Sequence, residues 1–352
     1  ECQAWGSVDE VGGPTTRTLA AARVQRPAVP IREVDAAQAS HRSTGVSEFD
    51  RVLGGGLVPG SVVLVAGEPG IGKSTLLLDV AARVGDRGRV LYISGEESAA
   101  QVRGRAERID AVTDGLYLAS ETDLATVLAQ IEQVRPDLVV VDSVQTIAST
   151  EVDGAAGNVG QVREVAGSLI QAAKEGGFAM LLVGHVTKDG SIAGPRVLEH
   201  LVDVVVQFDG DRHSRLRLVR AVKNRFGPTD EVGCFDLTEG GIVGLSDPSG
   251  LFLSSRHINV PGTCATVTLE GRRPLVVEVQ SLVSPSQIPT PRRANVGLDS
   301  GRLAMIIAVL DKRAGAPIGN QDTYVSSIGG VRITEPSSDL AVAVAIGALQ
   351  LM

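Results

Sequence analysis

The 352-residue sequence predicts an α/β fold, a parallel sheet covered by helices and followed by a smaller α+β unit. Three observations carry this reading. From Val62 to about Thr238, short β-branched runs alternate with amphipathic stretches, the pattern of βαβ units. One run, Leu138-Val139-Val140-Val141, is apolar at every position, as a strand buried on both faces must be. Aromatic residues make up only 3% of the chain, so its core has to be built from Val, Leu, Ile and Ala.

The elements follow in order. Residues 1–40, rich in Ala, Arg, Pro and Gly without periodicity, read as a tail or linker. A strand is expected over Ser61–Ala66 and a helix over Lys73–Arg83. A second strand over Arg89–Ser94 is expected beside the first, and a helix over Ala99–Ile109 comes next. Thr122–Val134 places Leu124, Val127, Leu128 and Ile131 on one helical face. The apolar run ending at Asp142 is expected at the sheet centre. A helix over Gln161–Lys174 and a strand over Phe178–Gly184 follow, then strands near Val202–Phe208, Arg215–Ala221 and Val232–Leu237. Gly240, Gly241, Gly244, Pro248 and Gly250 mark a boundary between a unit spanning 41–245 and a second spanning 255–352. In the second, Thr263–Leu269 and Leu275–Val279 read as strands joined by the turn Gly271-Arg272-Arg273-Pro274. A Pro-rich loop (Pro285, Pro289, Pro291) then leads to a helix over Gly301–Lys312, a strand near Asp322–Ser327 and an apolar terminal helix from Leu340. The sequence contains no internal repeat.

Composition bounds the function classes. The chain is 43% hydrophobic and 21% charged, ordinary for a globular protein. Its net charge of −8 lacks the basic excess of many nucleic-acid binders, so any DNA contact has to come from a local basic patch or the inside of a ring. Three cysteines, Cys2, Cys234 and Cys264, are odd in number and far apart, which argues against a disulfide framework and for a reduced, cytoplasmic setting. No apolar run reaches the ~18 residues of a membrane helix. The chain begins at Glu1 and runs into an apolar stretch at Met352, and both ends read as cut.

Residues 67–75 (Gly67, Glu68, Pro69, Gly70, Ile71, Gly72, Lys73, Ser74, Thr75) match the phosphate-binding P-loop in full. A strand delivers the loop and a helix starts at Lys73. Glycines at 67, 70 and 72 let backbone N–H groups face the phosphates, and the helix N-terminus adds partial positive charge. ATP is the expected ligand, with Lys73 reaching the β and γ phosphates and Ser74 on Mg²⁺. Asp142, at the end of the apolar strand, is expected in the magnesium shell. Hydrolysis also needs a base for water, and Glu96, with Glu97 as the alternative, follows a strand end suited to that role. His185 closes another strand and reads equally as a γ-phosphate sensor or as a plain strand-end histidine. No zinc-ligand cluster is visible in this unit.

Five further residues, Lys223-Asn224-Arg225-Phe226-Gly227, resemble the KNRFG signature of the bacterial RadA (Sms) DNA-repair family. Ser94-Gly95-Glu96-Glu97-Ser98, Val140-Val141-Asp142-Ser143-Val144-Gln145-Thr146 and Gly184-His185-Val186-Thr187-Lys188 are similar to that family too. Gly329-Gly330-Val331-Arg332-Ile333-Thr334-Glu335-Pro336 resembles its Lon-protease-like domain. The resemblance covers nearly the whole chain. It implies a RecA-like, ring-forming ATPase, a hexamer related to replicative helicases. Such a ring binds single-stranded DNA and drives branch migration of recombination intermediates beside a RecA-type recombinase. It also implies Arg225 as an arginine finger for the neighbouring subunit's ATP, with Lys223 beside it.

The family also begins with a four-cysteine zinc finger, whose last part resembles Cys2-Gln3-Ala4-Trp5-Gly6. Zinc is expected for that finger but not for this fragment, which retains Cys2 alone. Pro336-Ser337 offers the serine of a Lon-type dyad, but no lysine follows it up to Met352, so the truncated domain reads as a scaffold and not a protease. DNA contacts are expected from Lys188 and from the pairs Arg272, Arg273 and Arg292, Arg293. The competing readings are a RecA-fold signalling ATPase of the circadian-clock kind, whose cycle changes assembly without moving DNA, and an ATP-regulated protease.

Overall fold

The computed structural model describes residues 28–33, 40–185, 195–210, 215–251, 253, 260–328 and 332–350. Residues 1–38 form one unit and 39–352 another. The described part of the first is a short 3-10 turn, Ile31–Glu33.

The larger unit opens with helix α1 (Ser47–Leu53), which Gly54 stops in the left-handed conformation. Strand β1 (Val62–Gly67), helix α2 (Lys73–Gly85), β2 (Val90–Ser94), α3 (Ala99–Arg108), β3 (Leu116–Ser120), α4 (Leu124–Val134), β4 (Leu138–Asp142), α5 (Val159–Gly176) and β5 (Ala179–His185) then alternate. Strands β6 (Val204–Asp209), β7 (Leu216–Asn224), β8 (Val232–Thr238) and β9 (Gly241–Gly244) complete one nine-stranded sheet in the order β3-β2-β4-β5-β1-β6-β7-β8-β9. From β3 to β6 the strands run parallel, and from β6 to β9 they pair antiparallel.

Alternation along each central strand explains its unbroken apolar run. Val63, Val65, Tyr92, Val140, Leu181 and Val183 point into one core layer with α1, α2 and α3. Their neighbours Val62, Leu64, Leu91, Ile93, Val139, Val141 and Leu182 point into the opposite layer, against α4 and α5. A polar side chain on either face has to find a partner inside the protein.

Two placements differ from expectation. Strand β2 does not lie beside β1: β4 and β5 intervene, and β2 pairs with β4 in the register Ser94↔Asp142. Strand β3 is an edge strand of five half-exposed residues and β9 is four residues long, too short for periodicity to announce.

The second sheet follows the order β10 (Thr263–Glu270), β11 (Arg273–Pro285), β13 (Gln321–Ser327) and β12 (Arg293–Val296), with helices α6 (Ser300–Arg313) and α7 (Asp339–Ala348). Its core borrows Leu216 and Cys234 from the large sheet. The Arg273 guanidinium sits buried against the Glu48 carboxylate of α1 and donates also to the carbonyls of Leu245 (2.7 Å) and Ser246 (2.6 Å). Glu48 Oε2 in turn accepts from Cys234 N at 3.1 Å. Nearby, Arg220 of β7 bridges Asp209 at 3.2 Å and Glu270 at 2.7 Å. The expectation of Arg273 as a DNA contact is therefore corrected: it is buried in the seam between the two sheets, while its neighbour Arg272 stays exposed.

Burial raises the Cys234 thiol to about 11, so this cysteine reports on the seam. Arg273→Ala would leave the buried Glu48 carboxylate with only the half-exposed Arg51, 3.7 Å away, as a cationic partner and should cost about 3–5 kcal/mol of stability. Arg272→Ala should cost no more than about 0.5 kcal/mol. Urea denaturation measures both. Alkylation by iodoacetamide at neutral pH should stay slow at Cys234 in the parent and in Arg272→Ala, and become rapid in Arg273→Ala.

Candidate nucleotide site

Strand β1 delivers residues 67–72 to the carboxyl edge of the sheet, and α2 begins at Lys73. Gly70 (φ 78°) and Gly72 (φ 111°) take backbone angles that other residues rarely adopt, which lets the loop turn its N–H groups inward. Arg217 of β7 is buried, and its Nε donates to Ile71 O at 3.1 Å, tying the loop to the antiparallel extension. Lys73 is 3% exposed and its Nζ donates to Gly67 O (2.8 Å) and Glu68 O (2.9 Å). Burial lowers its ammonium to about 8, with Asp142 and then Glu96 pulling the other way.

A cavity of about 310 Å³ opens beside the loop and brings Lys73, Ser74, Thr75, Glu96, Asp142 and His185 together. Asp142 belongs there because β4 carries it to the edge next to Ser94. Its Oδ2 accepts a 2.6 Å hydrogen bond from the hydroxyl of the buried Tyr92. Burial and the Asp142 charge raise that phenol well above its ordinary value, so the proton stays on the tyrosine. With Ser74 across the cavity, the carboxylate and hydroxyl are the hard oxygen donors that Mg²⁺ takes alongside a triphosphate. These two residues would hold the ion, which would neutralise charge developing on the phosphates.

The two candidate bases have different surroundings. Glu96 Oε1 accepts from Ser143 Oγ at 2.8 Å and lies 3.3 Å from His185 Nε2, a contact without hydrogen-bond alignment. Glu97 instead pairs with Arg105 of α3, and its backbone N–H donates to Ser94 Oγ at 3.0 Å. His185 is pushed below its ordinary value first by burial and then by the Lys73 cation, so at neutral pH it is the uncharged imidazole. The loops after β2 and β4 touch so closely that a Cβ on Gly95 would lie 1.9 Å from Thr146 Oγ1.

The KNRFG segment lies elsewhere. Strand β7 runs antiparallel to β6, so Asn224 pairs with Val204 at the amino edge of the sheet, the edge where β1 begins. The length of β1, about 17 Å at the usual rise, separates that edge from the P-loop. Most of the segment does local work. Lys223 Nζ donates to Glu199 O (2.7 Å) and Val202 O (2.8 Å), and burial followed by Arg225 lowers its ammonium. Asn224 binds Leu53 O at 3.2 Å and Phe226 N at 2.9 Å. Phe226 packs on the core. Arg225 points outward, 51% exposed, with Nη1 at 2.9 Å from Asp203 Oδ1.

Of the remaining expected contacts, Arg292 and Arg293 are exposed at the edge strand of the second sheet. Arg272 is exposed and 3.3 Å from Asp230. Lys188 and Cys2 lie outside the described residues. Among the described residues no cluster of His, Cys, Asp and Glu is arranged to hold a metal on its own, and no helix is long and apolar enough to cross a membrane. Sequence reasoning missed Tyr92, whose ring packs in the core with its hydroxyl on Asp142, Arg105, which lines the cavity, and Arg217, which holds the loop. Only the polar atom in an apolar strand, as in Val90-Leu91-Tyr92-Ile93, hints at such a residue.

A phosphate loop between a parallel strand and a helix, facing an acid at the end of a second parallel strand, defines a RecA-like P-loop ATPase. The family model described as AAA domain matches residues 27–191. DNA repair protein RadA of Mycolicibacterium smegmatis is 58% identical over 98% of this chain and 76% of its own length. Its counterpart in Mycobacterium tuberculosis is 57% identical over 98% of this chain and 73% of its own. That of Streptococcus pyogenes is 48% identical over 98% and 77%. A KaiC-like protein of Pyrococcus horikoshii, 19% identical, covers 59% of this chain and 99% of its own with a TM-score of 0.49. The chain belongs to the family of DNA repair protein RadA.

The lowered value of Lys73 gives a pH test. Its cation is lost as pH rises through about 8, whereas polyphosphate binds the charged form. ATP affinity should therefore fall above about pH 8, by up to about tenfold per unit, with proton uptake on binding. Calorimetry in buffers of different ionisation enthalpy measures both. Lys73→Arg, always charged, should bind with a flat profile over the same range.

Proposed function

We propose that this chain is an ATP-driven motor in recombinational DNA repair. It assembles as a homo-oligomeric ring, a hexamer in the family pattern. The ring binds single-stranded DNA and promotes branch migration of recombination intermediates beside a RecA-type recombinase. The observation that carries the reading is the separation of Arg225 from the P-loop by the length of the sheet. An exposed cation at the amino edge cannot reach its own subunit's nucleotide, but it suits the nucleotide of a neighbour packed edge to edge. The second α+β unit, read as Lon-protease-like, acts in this proposal as a scaffold for the ring, with Arg272, Arg292 and Arg293 as its outward cations. Boundaries near residue 40 and between 245 and 255 divide linker, motor and scaffold.

Chemistry follows from the site. Water attacks the γ-phosphorus, the bond to the β–γ bridging oxygen breaks, and ADP and phosphate separate. Glu96 takes the proton from water, oriented by Ser143, while Arg105 holds Glu97 away from that role. Lys73 and the loop N–H groups receive charge on the phosphates, His185 reads the γ-phosphate, and Arg225 stabilises the transition state in trans. Lys223 must leave the carbonyls of Glu199 and Val202 to assist, and otherwise supports the turn beneath Arg225.

Glu96→Gln should lose about 10²–10⁴-fold in ATP turnover while ATP binding persists, and Glu97→Gln should lose at most about tenfold. Arg225→Ala should lose about 10³-fold or more. Mixing Arg225→Ala subunits with Lys73→Ala subunits should restore turnover, because each supplies what the other lacks across the shared interface. Single-stranded DNA should raise the parent's turnover. No recovery on mixing sinks the trans assignment, and turnover indifferent to DNA sinks the motor.

A further inference from the structure

Among the described residues Tyr92 is the largest fully buried side chain. It lies on β2 opposite Val140, and its ring is buried in the core layer of α2 and α3. Phenylalanine would fill the same space without a hydroxyl, and a buried hydroxyl is costly unless it is hydrogen-bonded. Here the hydroxyl has one specific use. It reaches from beneath the sheet's carboxyl edge to Asp142 Oδ2 at 2.6 Å, the length of a charge-assisted O–H···O⁻ bond. Asp142 is 7% exposed and lines the nucleotide cavity together with Ser74.

We infer that Tyr92 is a positioning residue for magnesium-dependent nucleotide binding: its hydroxyl occupies Oδ2 and holds the Asp142 carboxylate in the one orientation that meets the hydrated cation. The inference rests on the ATPase reading above and assigns the control of its metal requirement to a residue that touches neither nucleotide nor metal. Groups of this kind behind a metal ligand typically change metal affinity 10–100-fold when removed.

The test uses a fluorescent N-methylanthraniloyl ATP with the whole chain, titrated at rising MgCl₂ and also in EDTA. Tyr92→Phe should raise the half-saturating Mg²⁺ concentration about tenfold or more. Its affinity for the nucleotide in EDTA should stay within about twofold of the parent, because the phosphate loop is untouched. A protein carrying p-aminophenylalanine at position 92, which keeps an N–H donor, should fall between the parent and Tyr92→Phe. That protein also decides the matter if Tyr92→Phe does not fold, since its weaker donor should still shift the magnesium curve above the parent's. An unshifted magnesium curve, or an equal loss of affinity in EDTA, overturns the inference. Failure of the parent itself to bind the nucleotide would overturn the ATPase reading instead.

Discussion

Everything in the ATPase unit depends on a sheet whose central strands are buried on both faces. Parallel strands require crossover helices, and these cover each face with apolar contacts, so polar chemistry is expelled to the strand ends. All of the parallel strands end at the same edge. That edge therefore collects the P-loop after β1, Glu96 after β2, Asp142 at the end of β4 and His185 at the end of β5. No side chain had to travel far to make the site; the register of four strands made it. Where polar atoms remain inside, as with the Tyr92 hydroxyl and the Arg217 guanidinium, each is bound to a group at that same edge.

The antiparallel extension does different work. Strand β7 ties the P-loop through Arg217 and, three residues on, joins Asp209 of β6 to Glu270 of the second sheet through Arg220. It ends at Asn224, next to the exposed Arg225. One strand thus touches the phosphate loop, the second sheet and the proposed inter-subunit cation. The buried Arg273–Glu48 pair closes the seam from the other side, so the two sheets share a core and not merely a linker.

Much of this was legible in the residues. The P-loop, the apolar strand before Asp142 and the other helices and strands through β8, apart from α1 and β3, can be read from pattern, because local periodicity reports which faces are buried. Helix α1 and strands β3, β9 and β12 are too short for such a pattern. The choice between Glu96 and Glu97 was open in sequence, since both follow the same strand; both line the cavity, where Glu97 is paired with Arg105 of α3 and Glu96 accepts from Ser143. The pair Arg272-Arg273 reads as two equal cations on a turn. Arg272 stays in the turn beside Asp230, while Arg273 opens β11 and enters the seam, a difference that depends on where Glu48 lies 225 residues earlier.

The sequence by itself was enough to predict a nucleotide triphosphate, the loop expected to hold it and Asp142 as the acid expected in the magnesium shell. These are local arrangements in which spacing along the chain is spacing in space. Only the tertiary structure decided what stands beside them: β2 next to β4 and not β1, Tyr92 beneath Asp142, and the KNRFG segment a full strand length from the phosphate loop. Sheet order and strand direction are set by packing between distant segments, which no short stretch of residues encodes.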